Sequence, residues 1–474
     1  MSNSSSTRRQ FLAGNATVAA AAGIAANTLQ AKTSKSKPVA KVTGRVLGAN
    51  DRINVAFVGC GMQFYGLLDR GFDPRKKAKN DFEFSAVCDV WTPRLEAGQK
   101  RTGAEKAYRD YHEILARPDI DGVVIAVPDH WHYPMAREAL LAGKDVYLEK
   151  PMTYTIDEAA QLHDLVRETK RVLQVGGTGP TTQLYWKLNE YIRAGKMGKV
   201  VWGLISYNRN TDSGMWDYPI PGVGEDAWPK AEVKPGENLD WKMWLGSARK
   251  RPFSADRYFR WRKYWDYSGG NATDLLYHRL GVMSTIVGFD FPSRASGMGG
   301  VYVQKDREVP DTYMTMLEYP GDYSINMISC MANSQSVPIT VYGNWGTMSV
   351  LEGRSAMGAM GDLRRQPGSE PRPQLAAVIR AEEAFAKKFQ EANDGKTEVT
   401  ITGEPSPDLA DDWLDCMRSR GTTMYNVTRG YQVMVAIKLG VESYRQGRMM
   451  AYDTERKRVL PAVPPHREYP PKEA

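Results

Sequence analysis

Six histidines and four cysteines in 474 residues leave little from which to build a metal centre or a disulfide framework. Cys60, Cys88, Cys330 and Cys416 are scattered without ligand-like spacing, so they read as free, mostly buried thiols suited to folding in a reducing compartment. No His/Cys/Asp cluster has metal spacing, and no metal is expected. Long apolar runs are also missing. The longest, Ala16–Ala26, is too short and too weakly apolar to span a bilayer. The basic excess of +8 is local: residues 1–50 hold Arg8, Arg9, Lys32, Lys35, Lys37, Lys41 and Arg45 with no Asp or Glu, leaving 56 basic against 55 acidic residues in the rest. A near-neutral body lacks the basic face that nucleic-acid binding demands. There is no internal repeat. What remains is ordinary for a globular chain, 42% hydrophobic and 25% charged, and its length implies two domains.

The polar segment Ser6-Thr-Arg-Arg-Gln-Phe-Leu12 followed by the Ala-rich run resembles a twin-arginine export signal over residues 1–31, with cleavage options near Ala26 or Ala31. The resemblance implies a periplasmic or otherwise exported protein that folds before export, with its cofactor in place and no membrane contact after cleavage. A Lys/Ser/Thr linker over 32–51 follows.

From residue 52 strands and helices alternate. Strands are predicted at Arg52–Val58, Phe82–Val87, Val123–Val127, Val146–Leu148 and Arg171–Val175. Helices are predicted after Pro93, over 108–116, over Pro134–Leu141, and from the capping box Thr155-Ile-Asp-Glu158 to about Thr169. This spacing implies a doubly wound parallel sheet over 52–178. Beyond about residue 180 the pattern changes. A helix at 184–193 and a strand at 200–207 precede an irregular stretch, 208–267, containing Trp216, Trp228, Trp241, Trp244, Trp261 and Trp265. A helix from about 271 to Gly288 and strands near 312–319, 323–329, 339–342 and 347–351 come next. A loop at 353–373, helices near 375–392, 408–418 and 428–446, and a Pro-rich tail at 456–474 close the chain. The expected second domain, 179–455, is α+β with a large open, mostly antiparallel sheet.

Gly59-Cys-Gly61 directly follows the first strand, and Asp89 ends the second. Glycines there let backbone N–H groups approach a pyrophosphate, and the acid bonds ribose hydroxyls. Position 64, where a third glycine belongs, holds Phe64, so Gly66 is the candidate for close helix–strand contact. Asp89 disfavours a 2′-phosphate, which makes NAD the expected cofactor and NADP the lesser alternative.

Three further segments carry chemistry. The third strand runs into Pro128-Asp129-His130-Trp131-His132, the fourth into Glu149-Lys150-Pro151, and a later helix opens Gly269-Gly270-Asn-Ala-Thr-Asp274-Leu-Leu-Tyr277-His278. Alone, Glu-Lys-Pro reads more readily as a surface turn than as a site, and Asp274 with His278 as a surface i,i+4 pair. Together they resemble the glucose–fructose oxidoreductase / inositol dehydrogenase family (Gfo/Idh/MocA), over about residues 52–455. By position the resemblance implies that Lys150 touches nicotinamide and substrate hydroxyl and that Asp274 and His278 face them across a cleft. It implies that His132 lies beside the cofactor in an element where Asp129 replaces the usual Asn. Pro128 and Glu149 join the cofactor set. Trp131, Trp261, Trp265 and Tyr277 are candidate substrate contacts, since aromatic rings stack on sugar faces. His112, His130, His163 and His466 read as surface or structural. The resemblance also implies a homo-oligomer, dimer or tetramer.

The residue types suit hydride removal from a carbinol carbon: His278 as base, Lys150 as fixed positive charge, Asp274 as orienting acceptor. The expectation is an exported oxidoreductase acting on a sugar, glycoside or polyol. The runner-up is a redox-neutral glycosidase or lyase that oxidises a sugar hydroxyl transiently, since an exported enzyme meets no free NAD pool. A non-catalytic sugar-binding protein would have lost Lys150 or His278, and both are present.

Overall fold

Strand β1 (Ile53–Val58) is a buried apolar run without alternation, the pattern of a strand covered on both faces. With β2 (Phe82–Cys88), β3 (Lys106–Tyr108), β4 (Gly122–Ile125), β5 (Asp145–Leu148) and β6 (Leu173–Val175) it forms a six-stranded parallel sheet in the order β3-β2-β1-β4-β5-β6. This computed structural model describes residues 52–72, 82–177, 179–221, 229–351, 375–404 and 408–462, all within one compact unit. The export signal, linker, Trp228, the 353–373 loop, His466 and most of the tail lie outside the described residues. The strand order reverses between β1 and β4, which makes the crevice at their carboxyl ends the ligand position of such sheets.

The helices follow local signals. Thr155 caps Ile156–Thr169 in a reciprocal box: its hydroxyl accepts the Glu158 N–H at 3.1 Å, and the Glu158 carboxylate accepts the Thr155 N–H at 2.9 Å. The helix Asp129–Leu141 begins five residues earlier than predicted and contains Pro134. β3 lies where a helix start was predicted, and the helix itself is shortened to Tyr111–Leu115.

The second sheet has ten strands, β14-β13-β12-β11-β7-β10-β9-β8-β15-β16, antiparallel except for the β7–β10 pair. They are β7 (Val200–Ser206), β8 (Arg294–Gly300), β9 (Thr312–Tyr319), β10 (Tyr323–Cys330), β11 (Thr340–Gly343), β12 (Gly346–Leu351), β13 (Ala376–Ala381), β14 (Glu398–Thr402), β15 (Met450–Asp453) and β16 (Arg458–Pro461). Its alternating burial, as in β9, leaves Met314 and Met316 outside and buries their neighbours.

Three expectations are corrected. The helix expected over 375–392 is mostly β13, a short 3-10 turn and the helix Ala386–Ala392. Its Ala-rich sequence favours helix locally, but pairing with β12 and burial of Val378 and Ile379 win. The second domain does not stop at 455, because β16 pairs with β15. Nor does the first consist of 52–178 alone. The helix Leu409–Ser419 packs back onto the parallel sheet, with Trp413 fully buried against Phe72 and Tyr147, and Arg420 bridges Asp145 at 2.6 Å. The Val175 N–H then donates to the Tyr425 carbonyl, extending the edge beside β6. Among the described residues no helix is long and apolar enough to cross a membrane.

Candidate active site

At the end of β1 the chain turns through Gly59 at φ +94°, where a Cβ would lie 2.3 Å from the Ala126 carbonyl oxygen. Only glycine fits there. Gly61 opens the helix Met62–Arg70 without any side-chain cap, so the N–H groups of its first turn remain for an anion. A Cβ on Gly61 would meet nothing closer than the Arg94 guanidinium at 3.9 Å, so there is room for a close-approaching group. Asp89 anchors this turn: its carboxylate accepts the Cys60 N–H at 2.8 Å and the Trp91 N–H at 2.9 Å. Burial pushes the Asp89 carboxyl up, against the pull of Arg94 and of those two donors. A carboxylate accepts about four hydrogen bonds, so capacity for ribose hydroxyls remains. The cradle therefore fits a dinucleotide.

Gly66 does not make the expected helix–strand contact. A Cβ there would touch only Arg70 and Gln63 of its own helix. Phe64 fills that interface, edge-to-face on Phe57 at 4.7 Å. The close approach is supplied by Gly98, where a Cβ would meet the Cys60 sulfur at 2.6 Å.

Glu149-Lys150-Pro151 leaves β5 with a cis Lys150–Pro151 bond. Glu149 is buried and accepts from Gln63 Nε2 at 2.9 Å and from the Lys150 N–H at 3.1 Å, which ties this turn to the first helix. The Lys150 ammonium crosses to the second domain and donates to both the carbonyl and the Oδ1 of Asp274 at 2.8 Å. Arg262 Nε donates to the same Oδ1 at 3.0 Å, and the Trp216 indole donates to Oδ2 at 3.2 Å. Burial alone would raise the Asp274 carboxyl, but the Lys150 and Arg262 cations hold it well below the usual carboxylate range. Asp274 lies in a π-helical turn, Ala272–Leu276, that runs into the helix Tyr277–Val287. Such turns in helices are frequent at functional sites.

His278, one turn on, and Lys150 both flank Gly177. A Cβ on Gly177, at φ +127°, would lie 3.9 Å from both His278 Nδ1 and Lys150 Cγ. Burial, reinforced by the Lys150 charge, keeps the His278 imidazole neutral well below its ordinary pKa. Behind them the Asp129 carboxyl, 3% exposed, receives the Thr273 hydroxyl at 3.3 Å. Burial, with Asp274 adding repulsion, pushes it up to about 7.

Other expected site residues make contacts within the protein. Pro128 starts the helix Asp129–Leu141. His132 is buried with one ring nitrogen at the Pro151 carbonyl and the other 2.8 Å from that of Val127, so it braces the Lys150 turn. The Trp131 indole donates to the Trp244 carbonyl at 2.7 Å, and Tyr277 is fully buried, stacked on Tyr425 at 6.1 Å. Trp265 packs on Arg445 and Tyr444. Trp261 lies under the Arg262 guanidinium at 4.2 Å, one side chain removed from Asp274. Trp241 and Trp244 stack at 4.8 Å in a separate core with Trp91, Tyr258 and Phe259. Sequence reading missed Arg262, Trp216, Gln63 and Gly177. The first two lie in the irregular Trp-rich stretch, where no periodicity marks which side chain turns inward. Among the described residues no group of three or more His, Cys, Asp or Glu could hold a metal.

Comparison with known proteins agrees with this architecture. Residues 53–177 match the GFO_IDH_MocA family model, "Oxidoreductase family, NAD-binding Rossmann fold", and 246–452 match its companion, "Oxidoreductase family, C-terminal alpha/beta domain". A Shewanella sp. (strain ANA-3) protein named glycosyl hydrolase family 109 protein 2 is 28% identical over 322 residues, 60% of this chain and 69% of that protein. Among solved structures, the WlbA dehydrogenase from Bordetella pertussis in complex with NADH and UDP-GlcNAcA aligns with TM-score 0.58 at 17% identity, over 85% of this chain and 99% of that one. Aldose-aldose oxidoreductase from Caulobacter crescentus, complexed with glycerol, aligns with TM-score 0.59 at 16% identity, over 85% and 100%. At these identities the structural matches establish the fold.

Proposed function

The chain belongs to the Gfo/Idh/MocA oxidoreductase family, and from that premise we propose that it oxidises or reduces a hydroxyl-bearing carbon of a sugar, glycoside or polyol. The observation carrying this reading is the convergence of Lys150, Asp274 and His278 from two domains on the carboxyl edge of the parallel sheet. Bound at Gly59, Gly61 and Asp89, NAD supplies the hydride acceptor or donor. Lys150 spends two ammonium protons on Asp274 and keeps a third for the substrate oxygen, where its charge stabilises a developing alkoxide. The neutral His278 imidazole takes the hydroxyl proton. Asp274 has three of about four acceptor positions filled, and the last accepts a neighbouring substrate hydroxyl. Asp89 disfavours a 2′-phosphate, so NAD is preferred to NADP.

A second reading, redox-neutral cleavage of a glycoside with the hydride returned in each turnover, is favoured by the relative named as a family 109 glycosyl hydrolase. The paired Arg8-Arg9 before an Ala-rich run supports export by the twin-arginine route, where no NAD pool exists and a returned hydride removes the need for one. Exposed Met298, Met314 and Met316 on the open sheet support a homo-oligomer.

The test is to release and identify nucleotide from purified protein, then offer a panel of sugars and nitrophenyl glycosides with NAD. Accumulating NADH supports net oxidation; aglycone release at constant NADH supports the redox-neutral reading. Lys150→Ala should lose at least about a hundredfold in turnover, the scale of a fixed electrostatic contact at a reacting oxygen. Full activity in that variant removes the mechanism.

A further inference from the structure

We infer that Trp216 is a positioning residue for Asp274, strapped in place by a buried ion cluster built around Lys263. The inference rests on the proposed function and extends it to the segment that holds Trp216 in place.

Trp216 is 2% exposed and adopts φ +67°, a left-handed backbone that costs a bulky residue free energy and persists only where the surroundings impose it. The surroundings do so from both sides. The Met215 N–H donates to Gln304 Oε1 at 3.3 Å, and the Met215 carbonyl accepts from Arg307 Nη2 at 2.9 Å. Asp217, on the other side, pairs with Lys263, with Arg260 at 3.0 Å and with Arg307 at 3.6 Å. Lys263, 1% exposed, also pairs with Asp306, which holds Arg307 at 3.1 Å. Arg307 lies 5.8 Å over the Trp216 ring. Three separate stretches, 214–218, 260–263 and 304–307, are thus locked together with the indole N–H aimed at Asp274 Oδ2.

Lys150 and Arg262 both bind Oδ1 and hold the carboxylate from that oxygen alone. The Trp216 indole N–H holds the other oxygen, Oδ2, and so decides which of its acceptor positions stays open. It takes one acceptor position of that oxygen and leaves the other to a substrate hydroxyl. The cluster is costly to desolvate and weak as a source of stability. Its geometric product is the aim of one N–H group.

The experiment uses full-length protein labelled with 15N-tryptophan, with Trp216→Phe identifying the indole resonance. Expected are a downfield, slowly exchanging indole proton that moves upfield in Asp274→Ala and in Asp306→Asn, and a kcat in Trp216→Phe lowered about tenfold or more, the scale of a hydrogen bond to a charged group. KM should stay within about threefold and NADH affinity should be unchanged, a split that a merely structural tryptophan would not produce. The milder Asp306→Asn variant, at the exposed edge of the cluster, should show the same kcat loss. An indole resonance insensitive to Asp274→Ala, or a Trp216→Phe enzyme with wild-type kcat, overturns the assignment. A wild-type protein inert toward all carbohydrates would refute the proposed function, while the resonance would still decide the positioning.

Discussion

Replacing Arg262 by methionine keeps the aliphatic stem and removes the guanidinium that shares Asp274 Oδ1 with Lys150. At 3.0 Å and an effective dielectric of about 20, the bare attraction is about 5.5 kcal/mol. Both side chains are largely withdrawn from water, 20% and 13% exposed, so their desolvation offsets much of that. The net loss should resemble a hydrogen bond to a charged group, about 1.5–3 kcal/mol, which is about 10- to 150-fold in kcat/KM. The physical route is specific. With one cation gone, Lys150 becomes the sole counter-charge of Asp274 and is less available to a substrate oxygen. The Asp274 carboxyl should also rise from its depressed range, moving the acid limb of the pH–rate profile upward. Steady-state rates followed by NADH absorbance, with nucleotide affinity measured separately, provide the assay. A variant within about threefold of wild type at unchanged nucleotide affinity would refute the role given to Arg262.

Two further outcomes concern stability. Hydrogen bonds to Glu138 first and Asp110 next, against burial, raise His112 to about 9. Its contribution is therefore complete below the unfolded value near 6.5 and lost as pH rises through about 9. His112→Gln should lower Tm at about pH 6 and match wild type near pH 10; the effect is small because the side chain is half exposed. Trp413→Ala should destabilise by about 3–5 kcal/mol, because this fully buried ring packs against Phe72 and Tyr147 of the parallel-sheet domain. An unchanged Tm would contradict the assignment of Leu409–Ser419 to that domain.

Much of the first domain was readable because its signals are local. Buried parallel strands read as apolar runs, the Thr155–Glu158 box marks a helix start within four residues, and Gly59 answers to a steric demand of its own turn. Lys150, Asp274 and His278 were singled out by the resemblance that their segments carry together, since each alone reads as a surface turn or pair. The sequence by itself thus determined the sheet order's raw material and the dinucleotide turn, and its motifs, taken together, the candidate side chains of the site. Other features required the folded chain. Strands β8 and β13 are poor in local preference and exist because neighbouring strands pair with them. Trp413 reaches the first domain across some 240 residues of chain beyond its last strand, a contact that no window of sequence contains. That the His132 ring lies between the Pro151 and Val127 carbonyls and the Trp131 indole donates to the Trp244 carbonyl was likewise set only in the folded chain. Arg262 and Trp216 lie in an aperiodic stretch, and only long-range ion pairs and hydrogen bonds turn them toward Asp274. Residue type and spacing set which chemistry was available; tertiary packing decided which atoms face the cleft, because the partners that aim them are distant in sequence.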